Sequence, residues 1–165
     1  MKRLRTYNSA NAWLSAEMVG NYSWIHQFSA PEIAELELAA IKVLDNEIIN
    51  LSCEDFELPT LDPILQSIRG DVVDGHGFAL LRGLPVQQWS LELTARVYWA
   101  IGSRIGLPIS QNRVGNLLGH VTDMGGEADH PNQRGHQSSD ALAFHTDIGA
   151  EIVGLLCLND ARSGG

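Results

Sequence analysis

The chain has 165 residues, 11 basic and 20 acidic side chains, a formal net charge of −9 and two cysteines. This length suits one domain, and the acidic balance opposes binding to nucleic acid or to an anionic membrane surface. We therefore expect a small molecule as partner, no nucleic acid and no membrane, with a homo-oligomer left open.

The cysteines and the N-terminus indicate the compartment. Cys53 and Cys157 stand far apart with no Cys-x-x-Cys pair, and Cys157 lies inside an apolar run. We expect Cys157 to be a small buried hydrophobic residue without a catalytic role. No signal peptide and no apolar run of membrane-spanning length is recognisable in the sequence. These features predict a soluble, cytoplasmic protein.

The N-terminal part is predicted to be mainly helical. The segment up to Phe28 should lie over the outside of the core, with packing anchors at Trp13, Tyr22 and Trp24. Ser29 and Glu32 form the pattern of a capping box, with Pro31 in the first turn. Helical spacing of apolar residues then predicts an amphipathic helix over about residues 29–49.

Two further helices and a short strand follow along the chain. Leu61 begins a helix that should end before Gly75, and the apolar residues 78–81 suit a buried strand. Ser90 is placed to cap the next helix, which the sequence Gly-Leu-Pro at 106–108 stops.

From residue 109 to 140 the chain is rich in Gly, Asn and Asp, and most of it should be a functional or mobile loop. Its strand candidate is about Asn116 to Thr122. Three histidines lie in this stretch: His120, His130 and His136. None has a spacing that pairs it with another ligand, so each is interpreted as a surface or hydrogen-bonded histidine.

His145 and Asp147 are the candidate metal ligands. In an extended strand they point to the same side, with Cα atoms roughly 6.5 Å apart. An imidazole and a carboxylate are two thirds of the 2-His-1-carboxylate set that holds non-haem Fe(II). Taken alone, the tripeptide is more typical of a polar strand end or turn, in which Asp147 accepts backbone N–H bonds and His145 is solvated.

Residues 152–158 are apolar on both faces, which is typical of a strand covered on each side. Helices come first in this chain and strands come late. That order favours the α+β class, with a β core that this chain only begins.

The stretches around the tripeptide resemble the taurine dioxygenase (TauD/TfdA-like) family of Fe(II)/2-oxoglutarate-dependent oxygenases. The resemblance is strong from Gly77 onward and covers nearly the whole chain. It is carried by the segments Gly77–Pro85, Pro108–Asn112, Gly115–Gly125, Phe144–Asp147, Val153–Leu158 and Ser163–Gly165.

The resemblance implies a double-stranded β-helix (jelly roll) flanked by helices. Residues 1–76 would be the mainly helical N-terminal region and residues 77–165 the start of the β-helix core, with iron on His145 and Asp147. In the family, the distal histidine and the arginine that pairs with 2-oxoglutarate come later than Gly165. The chain is therefore expected to be a single incomplete domain, apparently truncated, and to be inactive and poorly soluble by itself.

The function implied is Fe(II)/2-oxoglutarate-dependent dioxygenation, in which O2 is used to hydroxylate a small organic metabolite. The alternative is a non-catalytic, degenerate fragment or binding module of the same fold. A zinc hydrolase would need richer histidine clusters than the sequence contains.

The substrate is expected not to be taurine. Taurine-specific members have a His-Pro-x-Tyr segment where this chain has Leu107–Ser110. Gln111 and Asn112 are the candidate substrate-binding residues, and a polar turn after Pro108 is the alternative interpretation.

Overall fold

A computed structural model of the protein describes residues 9–111, 115–121 and 149–160. These residues divide into two compact units. The first unit contains residues 9–107 and 154–160, and the second contains residues 108–111, 115–121 and 149–153. The helices and strands named below all belong to the first unit.

Three helices form the core of the first unit: α2 (Ala30–Lys42), α3 (Leu61–Val73) and α4 (Leu91–Ile105), preceded by the short α1 (Ser15–Met18). Both α2 and α3 pack against α4. The largest fully buried side chains are Leu36, Phe56, Leu58, Leu61, Leu65 and Val97. The predicted starts of these three helices are confirmed. None of the described helices is long and apolar enough to cross a membrane.

Helix α2 begins as predicted but ends early. Glu32 Oε2 accepts hydrogen bonds from the backbone N–H of Ser29 at 2.6 Å and from its hydroxyl at 2.7 Å, which is the capping-box arrangement. The helix ends at Lys42, and only a 3₁₀ turn at Ile48–Asn50 follows. The prediction of a helix continuing to residue 49 was therefore wrong.

The early end of α2 is stabilised by Arg96 of α4. Arg96 is 7% exposed and donates hydrogen bonds to the carbonyl oxygens of Val43, Leu44 and Asn46, at 3.1 Å for Val43 and 2.9 Å for Asn46. A buried guanidinium satisfies the carbonyls that a terminating helix leaves without partners. Arg96 thus stabilises a turn where local apolar spacing alone would continue the helix.

Two further charged side chains hold the connection between α2 and α3. Arg104 donates to the Phe56 carbonyl at 2.7 Å and forms an ion pair with Asp62 at 2.5 Å. Glu35 accepts from the backbone N–H groups of Thr60 at 2.9 Å and of Leu61 at 3.2 Å. A carboxylate on α2 therefore caps the N-terminus of α3, where a negative charge is stabilising.

The sheet of the first unit consists, within the described residues, of two parallel strands: β1 (Ile25–Gln27) and β2 (Leu80–Arg82). Ile25 pairs with Leu80 and Gln27 with Arg82. β2 lies close to the strand predicted over 78–81. β1 was not predicted, because a three-residue strand has too little pattern of its own and depends on a partner 55 residues away.

Trp13 and Trp24 pack around Phe78, just before β2, whereas Tyr22, which was also predicted as a packing anchor, is 71% exposed. The rings of Trp13 and Trp24 lie 5.4 Å and 5.2 Å from that of Phe78. The Trp13 indole also donates to the carbonyl of His76 at 2.9 Å. The prediction that these tryptophans are packing groups is confirmed. They join the N-terminal segment to the loop that leads into β2.

Two predicted strands are absent from the described residues. Neither 115–121 nor 149–160 contains a strand, so the strands predicted over 116–122 and 152–158 were wrong for these ranges. Cys157 is exposed, which also corrects its predicted burial. An apolar sequence is not sufficient for a strand, since its backbone N–H and C=O groups need a partner.

Segment 154–160 is instead held by side chains of the first unit. The Gln87 amide donates to the carbonyl of Leu158 and, at 3.3 Å, to the side-chain oxygen of Asn159. Gly154 approaches Tyr98 so closely that an added Cβ would lie 2.8 Å from the Tyr98 hydroxyl. Burial raises the pKa of Tyr98 above its usual value of 10.0.

Candidate functional site

The predicted iron ligands, His145 and Asp147, lie outside the described residues, as does the predicted substrate contact Asn112. Their proximity thus stays a prediction from strand geometry. The described residues by themselves contain no group of three or more His, Cys, Asp or Glu side chains able to hold a metal ion.

Gln111 is the described member of the predicted substrate pair. Its backbone N–H donates to the carbonyl of Asn116 at 2.7 Å, which closes a loop in the second unit. Its side-chain amide donates to the carbonyl of Ile109 at 3.0 Å. These contacts are those of a polar turn after Pro108, the alternative interpretation of this stretch. A substrate contact by Gln111 remains a prediction.

Within the described residues, the histidines of the glycine-rich stretch at 109–140 do not form a set of metal ligands. His120 is exposed, and His130 and His136 lie outside the described residues. The interpretation of His120 as a surface histidine is confirmed.

An imidazole and a carboxylate do meet elsewhere, between β1 and α2. His26 Nε2 lies 3.4 Å from Glu32 Oε1, and the ring of Phe28 stands edge-on to the imidazole at 5.0 Å. Burial would raise the pKa of Glu32, but the hydrogen bonds from Ser29 and the nearby His26 outweigh it and hold that pKa below its usual value of 4.5. Glu32 is therefore ionised near neutral pH.

Sequence reasoning found one half of this contact. The Ser29-x-x-Glu32 pattern predicted the helix cap, whereas nothing in the sequence paired His26 with Glu32. That pairing requires β1, whose position depends on β2. No local signal could have found it.

A shallow hollow of about 350 Å³ lies beside His26, between β1 and α3. Its polar lining consists of Ser23, His26, Ser67 and Asp71. One imidazole and one carboxylate do not make the three-ligand set of a non-haem iron site. The hollow therefore does not replace the pair predicted at 145 and 147.

Comparison with protein families matches residues 41–165 to the family described as taurine catabolism dioxygenase TauD, TfdA family. The match covers well over half of the chain. It begins near the end of α2 and includes α3, β2, α4 and the tripeptide at 145–147.

Two relatives are similar over almost the whole chain. FR-33289 synthase of Streptomyces rubellomurinus is 25% identical over 158 residues, which are 94% of this chain and 46% of the relative. Taurine hydroxylase-like protein SAT17 of Stachybotrys chartarum is 32% identical over 168 residues, covering 96% of this chain and 43% of the relative. The chain thus spans less than half of the length of either relative.

Proposed function

Because the chain belongs to the TauD/TfdA family, we propose that the whole protein is an Fe(II)/2-oxoglutarate-dependent dioxygenase that hydroxylates a small organic metabolite. Membership of the family supports a dioxygenase-type oxidoreductase with a jelly-roll fold, with Fe(II) and 2-oxoglutarate as cofactors. The described part, with its four α-helices and small parallel sheet, is consistent with a mixed helix-and-sheet class.

The family match carries this proposal, because the matched range contains the sequence Phe144-His145-Thr146-Asp147. In the proposed site His145 binds Fe(II) as a neutral imidazole and Asp147 binds it as a carboxylate. These donor types suit non-haem Fe(II). A third ligand and a clamp for 2-oxoglutarate are also needed, and the whole protein has to supply them.

When bound, Fe(II) with 2-oxoglutarate and O2 supplies the oxidising power to hydroxylate an unactivated C–H bond. The proposed role of this chain is to hold the two metal ligands, His145 and Asp147, in place. His145 must keep one ring nitrogen unprotonated for the metal, and Asp147 must stay ionised, since metal ligands bind in their deprotonated forms. Acidification should therefore weaken metal binding.

For the substrate, we propose a small organic acid or similar metabolite other than taurine. One relative is named a taurine hydroxylase-like protein, which suits an oxidation of a small molecule, and the other is named a synthase. Leu107–Ser110 lacks the His and Tyr of the taurine-specific segment. Gln111 and Asn112 are the proposed substrate contacts, and Gln111 would have to exchange its bond to Ile109 for one to the substrate.

The test is 2-oxoglutarate turnover by the whole protein with Fe(II) and O2, followed as succinate formation. His145→Ala and Asp147→Ala should each lower turnover by at least about 100-fold, because even the outer partners of metal ligands are worth 10- to 100-fold. Anaerobic Fe(II) titration should show weakened binding in both variants.

Matched controls are available on the described surface. His120→Ala and Asp45→Ala remove an exposed imidazole and an exposed carboxylate and should leave turnover unchanged. Near-normal succinate formation by either ligand variant would overturn the metal assignment. Absence of any 2-oxoglutarate turnover in the whole wild-type protein would instead support the non-catalytic alternative.

A further inference from the structure

The contact between His26 and Glu32 joins the sheet to the helical layer. The two side chains approach to 3.4 Å, yet His26 Nε2 is buried and makes no hydrogen bond within the part of the chain that the structure describes. The distance suits an ion pair, whereas the alignment is not that of a hydrogen bond. The strength of the attraction between His26 and Glu32 therefore depends on whether the imidazole is charged.

The two oxygens of Glu32 have separate roles. Oε2 accepts both hydrogen bonds from Ser29 and completes the cap of α2, while Oε1 faces His26. Glu32 is only 7% exposed, so its negative charge is poorly solvated. A protonated imidazole would compensate the negative charge of the buried Glu32 carboxylate. With a neutral imidazole, that charge is stabilised only by the cap hydrogen bonds from Ser29 and by the helix N-terminus.

The other groups around His26 do not oppose a positive charge. From α3, Asp71 lines the same hollow and is negative. From β1, Phe28 contributes only its ring. On β2 the residue paired with His26 is the apolar Leu81. Arg82 pairs with Gln27, the next residue along β1, and successive residues of a strand face opposite sides of the sheet, so Arg82 does not share a face with His26. The N-terminus of α2 disfavours a cation, but Glu32 in its first turn offsets that effect.

We propose that His26 and Glu32 form a pH-sensitive tie between β1 and the N-terminus of α2, which is made when the imidazole is protonated and weakens when it is neutral. The tie contributes stability while the imidazole is charged and Glu32 is ionised, and it loses that contribution when the imidazole is neutral. It is lost again in strong acid, as pH falls through the lowered pKa of Glu32, below 4.5.

A double-mutant cycle on the full chain tests the tie, with His26→Gln, Glu32→Gln and the double variant unfolded in urea at about pH 5.5 and about pH 8. At the lower pH the coupling should change the unfolding equilibrium constant by about three- to tenfold. At the higher pH the coupling factor should approach one. His120→Gln, at an exposed histidine, is the matched control and should show no coupling with Glu32→Gln at either pH.

A second measurement needs no variant. The backbone N–H of Phe28 donates to the carbonyl of Arg82 at 2.9 Å, directly beside the tie. Its amide hydrogen exchange, corrected for the intrinsic rate at each pH, should be slower at the lower pH by about the same factor. Equal coupling at both pH values, no coupling at either, or pH-independent corrected exchange would overturn the proposal. None of these outcomes depends on the activity of the whole protein.

Discussion

The helical layer and segment 154–160 belong to the same compact unit, and both are rich in apolar residues, yet they bury them very differently. Leu36 and Leu65 on α2 and α3 are 0% exposed, whereas Leu155 is 84% exposed. Cys157, two residues later, is exposed as well. Similar hydrophobicity has therefore led to opposite environments.

The difference lies in what each region packs against. The helices α2 and α3 both lie against α4, so each apolar stripe meets another one. The contacts of segment 154–160 with the rest of the first unit include the Gln87 amide and the backbone of Gly154 against Tyr98, which are polar or backbone contacts. Burial requires a complementary apolar surface and not only an apolar sequence.

The largest effect is expected from paired truncations in the two regions. Leu65→Ala should destabilise the chain by about 2–5 kcal/mol, because it removes buried methyl groups and leaves a cavity. Leu155→Ala should change the free energy of unfolding by less than about 0.5 kcal/mol, as is usual for exposed positions. Urea unfolding measures both, and equal losses would contradict the contrast between the two regions.

A smaller effect should come from the arginine that ends α2. Arg96→Met keeps much of the packing but leaves the carbonyls of Val43, Leu44 and Asn46 without their donor, which should cost about 2 kcal/mol. The control is Arg69→Met, at an exposed arginine that makes, within the described residues, one 3.0 Å bond to the carbonyl of Ile105, and it should cost about 0.5 kcal/mol.

Circular dichroism sharpens the same comparison. If Arg96 stabilises the turn after Lys42, Arg96→Met should change the helical signal, because the end of α2 frays or extends. Arg96→Lys should not restore stability, since an ammonium group cannot reach three carbonyls as a guanidinium does. Full rescue by lysine would mean that the positive charge matters and the hydrogen-bond geometry does not.

The smallest effect concerns the close approach in segment 154–160. Gly154→Ala should cost about 1 kcal/mol, because the new methyl group would lie 2.8 Å from the Tyr98 hydroxyl. In a Tyr98→Phe background, where that oxygen is absent, the same substitution should cost less than half as much. Identical costs in both backgrounds would show that Gly154 does not pack against Tyr98.

Local sequence determined the parts of this fold that need only local information. The capping box at Ser29 and Glu32 and the cap at Ser90 were predictable, because each is satisfied within one turn of its own helix. The start of α3 at Leu61 was also predicted, although its cap comes from another helix. Ser90 indeed accepts from the backbone N–H of Leu93 at 3.1 Å. The candidate ligands His145 and Asp147 were likewise named from the sequence, through a motif and a family resemblance.

Tertiary structure alone decided the contacts that join distant residues. The end of α2 depends on Arg96, more than 50 residues further along, and the cap of α3 depends on Glu35 of another helix. The strand β1 exists because β2 pairs with it, and that pairing brings His26 to Glu32. A side chain that satisfies a distant carbonyl or amide leaves no periodic trace in the sequence, because its partner is set by how the elements pack and not by its neighbours in the chain.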